Sequence, residues 1–429
     1  MAVFETLRTG SRGPLVEMAQ LGLQRAGFYQ GNIDGVFGRI TAEAARRFQQ
    51  SNNLTPDGVI GPRTWETLTP WLTGFRYHII RQGDTLYRIS QRYDSSITAI
   101  ETANPNIDPM NLRVGSRLAI PLDFNVVPTN ISFTSFLLEL TLQGLKARYP
   151  FINISVAGRS VMGKPLYYVQ IGSGNNQVFY NGSHHANEWI TTTVLMKFIE
   201  DYAKAYANDS EIFNTSAEEL FNTASLYIIP MVNPDGVDLV TGLLNSGSFY
   251  NDALSISADY PGIPFPNGWK ANINGIDTNL QYPAGWETAR EIKFAQGFVS
   301  PAPRDFVGNA PLEAPESRAV YEFTRLRNFS ITLSYHTQGE VIFWKYLDYL
   351  PENSFEIAQQ FGDVSGYLVE ETPSESGYAG YKDWFIMTYN RPSYTIEAGK
   401  GVSPLPLSQF NEIYNDNIGI LVLGLTVTA

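Results

Sequence analysis

Val178-Phe179-Tyr180-Asn181-Gly182 runs into Ser183-His184-His185-Ala186-Asn187-Glu188-Trp189, and the reading of this stretch decides the fold of most of the chain. A short apolar run closed by Asn-Gly reads as a buried strand, and the helical spacing from about Ile190 to Tyr206 follows at once. The histidines and Glu188 therefore fall in a strand-to-helix turn, where a short loop can aim an imidazole and a carboxylate at one ion. His-x-x-Glu spacing selects His185 over His184 and leaves His184 as a bystander. Far downstream, Ile331-Thr332-Leu333-Ser334-Tyr335 delivers His336 at another strand end. Two histidines and a glutamate with one open position form the catalytic type of zinc site. Ser393-Tyr394-Thr395-Ile396-Glu397 brings one more carboxylate to the end of a third strand.

Working outward, Phe136–Tyr149 has helical spacing, while Ile152–Val156, Leu166–Ile171, Leu226–Met231 and Ser330–Ser334 read as strands. Strands alternating with helices predict an α/β domain with a mixed, mostly buried sheet and flanking helices. Pro128 and the polar stretch after it mark its start, so this module is expected over 128–429.

Composition limits the chemistry. The 429 residues contain no Cys and 4 His. Disulfides, thiolate metal sites and a cysteine nucleophile are excluded, and a transition metal must be held by histidine and carboxylate. Residues 1–125 carry 13 Arg, no Lys and 11 Asp+Glu, a balance of +2, while the remainder carries 17 Lys+Arg against 31 Asp+Glu, a balance of −14. The split suggests separate modules, and an acidic body argues against nucleic acid as a partner. No stretch approaches the roughly 18 apolar residues of a membrane span. Met1–Gly13 has no apolar run, so no secretory signal is expected and synthesis is expected in the cytoplasm.

In the front of the chain, Asp34-Gly35-Val36-Phe37-Gly38-Arg39-Ile40-Thr41 recurs as Asp57-Gly58-Val59-Ile60-Gly61-Pro62-Arg63-Thr64. Each copy precedes a helical pattern, with Thr41 and Thr64 as expected caps, and a further helix is predicted from about Pro14 to Ala26. This 1–70 module resembles the peptidoglycan-binding three-helix domain. Over 76–122, Tyr77-His78-Ile79-Ile80-Arg81-Gln82-Gly83-Asp84-Thr85-Leu86, then Asn104-Pro105-Asn106, then Val114–Pro121 predict a strand, two helices and a closing strand. Asp84 or Thr85 should cap the first helix, and His78 reads as an ordinary strand histidine. This module resembles a LysM domain. The resemblance implies that Gly83, Asp84, Thr85, Leu86 and Asn106 contact N-acetylglucosamine chains.

The strand-end signals, together with Gly275-Ile276-Asp277-Thr278-Asn279 and Ala310-Pro311-Leu312-Glu313-Ala314-Pro315-Glu316, resemble the zinc carboxypeptidase family over about 130–429. The resemblance implies one Zn²⁺ held by His185, Glu188 and His336. It implies Asp277 as the carboxylate bonded to the first ligand histidine, and Glu397 as general base. Lys270 falls near the family's oxyanion-stabilising arginine, and Asn279 is expected to bond substrate. Where the family has an arginine that grips a terminal carboxylate, this chain has Leu280, which cannot pair with one. At the specificity position it has Lys382, which suits a side chain ending in carboxylate. Tyr378 or Tyr381 is a candidate for the family's substrate-contacting tyrosine, with packing as the alternative.

These departures resemble the γ-D-glutamyl-L-diamino acid endopeptidases, and imply hydrolysis of the γ-D-glutamyl–diaminopimelate bond of peptidoglycan stem peptides. The glycan chains and stem peptides are then the partners, with action expected on the wall or its fragments in sporulating or lysing cells. A metallocarboxypeptidase removing acidic C-terminal residues and a non-catalytic wall-binding protein remain the alternatives. No Gly-x-Ser-x-Gly occurs, which disfavours a serine hydrolase.

Overall fold

The computed structural model describes residues 5–427, so the first residues of the Met1–Gly13 segment lie outside the described residues. The chain forms two compact units, one ending at Asn153 and the other beginning at Ile154.

In the front unit, α1 (Pro14–Arg25), α2 (Arg39–Ser51) and α3 (Pro62–Thr73) bury Val16, Leu23, Phe48, Trp65 and Leu68 between them. Two buried glutamines lock the repeated turns. Gln20 Nε2 donates to Asp34 Oδ1, Val36 O and Thr41 Oγ1, and its Oε1 accepts from Gly35 N. Gln49 makes the same set with Asp57, Val59, Thr64 and Gly58 N. Thr41 and Thr64 are thus not caps. The helices begin at Arg39 and Pro62 after extended Gly38 and Gly61, and the threonine hydroxyls face the glutamines instead.

Next come β1 (Phe75–Ile79), α4 (Leu86–Tyr93), α5 (Ile97–Ala103) and β2 (Arg117–Pro121), with β1 and β2 antiparallel over a core of Ile80, Leu86, Ile89, Ile100, Leu118 and Ile120. Thr85 is the N-cap of α4, accepting from Arg88 N at 3.2 Å. Helix α6 (Ser135–Arg148), grouped by its sequence with the third module, packs on α3 and the small sheet. Glycine is required at 144, because a Cβ there would lie 2.0 Å from Thr73 O.

The second unit is built on an eight-stranded sheet of order β11-β10-β12-β9-β5-β8-β4-β3. Its strands are β3 (Asn153–Arg159), β4 (Pro165–Ile171), β5 (Asn176–Gly182), β8 (Ala224–Ile229), β9 (Phe329–His336), β10 (Val341–Phe343), β11 (Leu368–Glu370) and β12 (Ser393–Glu397), while β6 (Glu211–Ile212) and β7 (Thr215–Ser216) pair apart. The run β12, β9, β5, β8 is parallel, with β4 and β10 antiparallel to it. Both faces are covered, which explains the near-continuous apolar runs of β5 and β9. Among the described residues no helix is long and apolar enough to cross a membrane.

Candidate metal centre and substrate pockets

The carboxyl ends of three adjacent parallel strands converge, the usual place for a site in an open α/β sheet. In the ladder Glu397 lies opposite His336, and Tyr335 opposite Gly182. Beyond Gly182 the chain turns sharply through Ser183, whose φ is 52°. Threonines hold this unusual conformation, with Thr191 Oγ1 accepting from Ser183 N at 2.9 Å and Thr192 Oγ1 2.8 Å from the serine hydroxyl. A single 3₁₀ turn, Ala186–Glu188, then leads into α7 (Ile190–Ala207).

This turn brings His185, Glu188 and His336 together. Their donor atoms all lie within 4.8 Å of one another. His185 Nδ1 is 3.0 Å from Glu188 Oε1, His336 Nδ1 is 2.8 Å from Glu188 Oε2, and the two Nδ1 atoms are 3.2 Å apart. Two imidazole nitrogens and a carboxylate facing one point are the donor set that zinc prefers, so the residues present fit the ion. Asp277 lies behind His185, 3.2 Å from Nε2, which leaves Nδ1 facing the centre. Asp277 itself is fixed by the backbone N–H groups of Asn279 and Asp305. His184 points away to the Tyr282 hydroxyl at 3.0 Å, and complete burial holds its pKa well below the usual range.

The electrostatics follow from burial and pairing. Burial disfavours the charged form of His185, but Glu188 and Asp277 outweigh it and raise the pKa to about 9. Burial likewise opposes the Lys270 ammonium, yet Glu188, 2.9 Å from Nζ, and Glu397 raise its pKa. Glu397 has its pKa raised by desolvation, in the direction a general base requires. The strand that supplies His336 thus stands beside the strand that supplies Glu397, with Lys270 near both carboxylates.

Two pockets meet at Lys270 and Glu397. The larger, about 810 Å³, lies between the segments 262–268 and 401–404, which the Asn187 amide ties together through Asn267 O and Ser403 O. The smaller, about 230 Å³, is lined by Asn279, Leu280 and Lys382 among others. Lys382 Nζ donates to Lys345 O and to the Asp383 carboxylate, so the wall presents an ion pair and not a lone cation. Tyr378 lines neither pocket. It packs with Trp286 and Tyr346 over Gly285, because a buried aromatic cluster claims its ring. Tyr381 is fully buried with its hydroxyl 3.0 Å from Thr324, so the segment's tyrosines serve packing. No motif marks Arg304, which lines both pockets. The Lys270 and Ala271 N–H groups, donating to Pro303 O, bring it there through a contact invisible in sequence.

In the front unit, a pocket of about 580 Å³ is lined by Asn106 but by none of Gly83 to Leu86. Leu86 is a core residue, the Thr85 hydroxyl caps α4, and the Asp84 carboxylate accepts from Arg81 N and pairs with buried His78 at 2.8 Å. His78 is therefore structural, held by a hydrogen bond to Asp84 that its strand position alone does not reveal.

Comparison with known proteins agrees with this geometry. Residues 138–418 match the zinc carboxypeptidase model, 12–68 a peptidoglycan-binding domain and 78–121 the LysM domain. The chain is 40% identical over 402 residues to gamma-D-glutamyl-L-diamino acid endopeptidase 1 of Lysinibacillus sphaericus, covering 81% of this chain and 99% of that protein. Among solved structures, bovine thrombin-activatable fibrinolysis inhibitor has a TM-score of 0.52 at 17% identity, covering 69% of this chain and 96% of that one. Carboxypeptidase A of Helicoverpa armigera has a TM-score of 0.51 at 18% identity, covering 85% and 86%. The sheet, the His185, Glu188 and His336 group that could hold a metal ion, and the modules ahead of it fit a zinc metallopeptidase with peptidoglycan-binding domains, and the chain belongs to the zinc carboxypeptidase family.

Proposed function

We propose that the protein hydrolyses the γ-D-glutamyl–diaminopimelate bond of peptidoglycan stem peptides, using one zinc ion held by His185, Glu188 and His336. The observation that carries this reading is Leu280, which lines the smaller pocket where the family's carboxylate-gripping arginine would stand. A neutral wall there releases the enzyme from the need for a free terminal carboxylate. The Lys382–Asp383 pair beside it offers an ammonium and a carboxylate together, which suits a diaminopimelate side chain bearing both charges. The name of the Lysinibacillus sphaericus relative supports the same bond.

Bound at this site, zinc would supply Lewis acidity to the attacking water and the scissile carbonyl. Asp277 holds His185 in the tautomer that presents Nδ1. Glu397 accepts the proton of the water and returns it to the leaving nitrogen. Lys270 stands where charge develops on the carbonyl oxygen and supplies a compact positive charge in place of a guanidinium fork. Asn279, its amide oxygen accepting from Tyr381 N and its amide nitrogen 3.5 Å from His336 Nε2, lines the leaving-side pocket. The front modules hold the enzyme on glycan and raise the local concentration of stem peptides.

The test is incubation of purified muropeptides with the protein, with and without a chelator, and mass analysis of the fragments. Disaccharide-linked L-alanyl-D-glutamate together with a freed peptide that begins at diaminopimelate, both abolished by the chelator, is the expected outcome. Release of C-terminal amino acids only would overturn the reading.

A further inference from the structure

Four cationic side chains line the smaller pocket, Lys270, Lys293, Arg304 and Lys382. Each lysine has a carboxylate partner: Lys270 with Glu188, Lys293 with Asp305 and Lys382 with Asp383. Arg304 differs. It bonds Asp305 through Nε alone, its side chain is 43% exposed, and its two terminal amino groups have no partner among the described residues. A guanidinium held by its Nε edge presents the opposite, two-pronged edge, which matches a carboxylate in two parallel hydrogen bonds.

Its position limits what it can serve. Arg304 borders the larger pocket as well, where the other charged side chains in the lining are Lys270 and Glu397. Both of those face the reacting bond. The remaining wall is neutral, formed by residues such as Asn187, Asn267, Gln338 and Ser403. Leu280 and Lys382 belong to the other pocket, on the leaving side. Arg304, which borders both pockets, is therefore the cation of the larger one whose terminal amino groups remain open among the described residues, its Nε being held by Asp305.

A γ-linked glutamyl residue differs from an α-linked one in a single charged feature. Its α-carboxylate stays free, a few bonds from the scissile carbonyl, on the acyl side. We infer that Arg304 binds this free α-carboxylate and so selects γ-glutamyl over α-peptide substrates and over stem peptides in which that carboxylate is amidated. The inference rests on the proposed cleavage of the γ-glutamyl bond and names the group that makes the site specific for it. Arg304 thereby performs an anion-binding task from the acyl side, while position 280 has given one up on the leaving side.

The experiment compares two soluble tripeptides, L-alanyl-γ-D-glutamyl-diaminopimelate and its glutamyl α-carboxamide, with the full-length zinc-loaded enzyme and its Arg304→Gln and Arg304→Lys variants. The wild type is expected to cleave the acid with a kcat/KM roughly 10- to 100-fold above the amide, the size of a charge-assisted contact. Arg304→Gln should lower kcat/KM on the acid far more than on the amide and so erase the preference, and Arg304→Lys should recover part of it. Binding of the two peptides to the Glu397→Gln variant, followed by calorimetry, should show the same preference without turnover. Equal loss on both substrates in Arg304→Gln, or a wild type indifferent to amidation, would overturn the inference while leaving the γ-glutamyl reading intact. Cleavage of neither peptide would overturn that reading and the inference together.

Discussion

Glu397 stands at the end of β12 with its pKa raised by desolvation, and its substitution separates chemistry from metal binding. Glu397→Gln should lower kcat by about 10²- to 10⁴-fold, the usual range for a general base, while the metal content by elemental analysis stays the same. Asp277→Asn acts on the ligand instead. It disturbs the hydrogen bond to His185 Nε2, and zinc affinity measured by chelator competition should weaken by roughly 10- to 100-fold. His336 and Glu397 are legible because each closes an apolar strand, and His185 and Glu188 because they follow one in a short turn. Asp84 and Leu86 were legible only as members of a motif. Their side chains turn inward, since a carboxylate beside a buried histidine and a leucine over an apolar core have stronger local partners than a sugar. Arg304 left no trace in the sequence, because a hydrogen bond from the Lys270 loop to Pro303 O places it.

At the scale of elements, the duplicated turns of the three-helix domain show where a pattern can be read and its cause cannot. The Asp-Gly repeat is plain in the sequence, but the glutamines that satisfy it lie 14 and 8 residues from their aspartates, on different helices. Each glutamine satisfies buried backbone groups at both ends of its amide. Gln49→Ala should therefore cost about 1–3 kcal/mol, the penalty for unmet buried polar groups, read as a lower urea midpoint for the front unit. Threonine does not cap these helices, because glycine in extended conformation starts α2 and α3 and threonine sits one turn inside. Helix α6 was found but grouped elsewhere, since its packing against α3 through Gly144 is a tertiary contact.

At the scale of the whole molecule, pH couples stability to the buried carboxyl of Glu316. Glu316 is buried, bonded to Val161 N and Asn272 Nδ2, and desolvation raises its pKa to about 7 from 4.5. A raised carboxyl pKa means that the folded state holds the proton more tightly than the unfolded chain. The stabilisation is complete below about pH 4.5 and is lost as pH rises through about 7, a span worth about 3 kcal/mol. Glu316→Gln imitates the protonated form. The difference in unfolding free energy between variant and wild type should grow from pH 5 to pH 8 in favour of the variant, and a flat difference would contradict the assignment. The modules make a separate prediction. N-acetylglucosamine oligomers added in excess should slow hydrolysis of insoluble sacculi and leave hydrolysis of a soluble stem peptide unchanged.

The ladder that sets Glu397 opposite His336 also fixes an order of events during synthesis. His185, Glu188 and His336 all leave the ribosome before Glu397, and β12 must then insert between β9 and β10, which precede it in the chain. A growing chain thus contains the three residues that could hold the metal before it contains the carboxylate proposed as the base. On the proposed roles, hydrolysis would wait for the closing of the central sheet between β9 and β10.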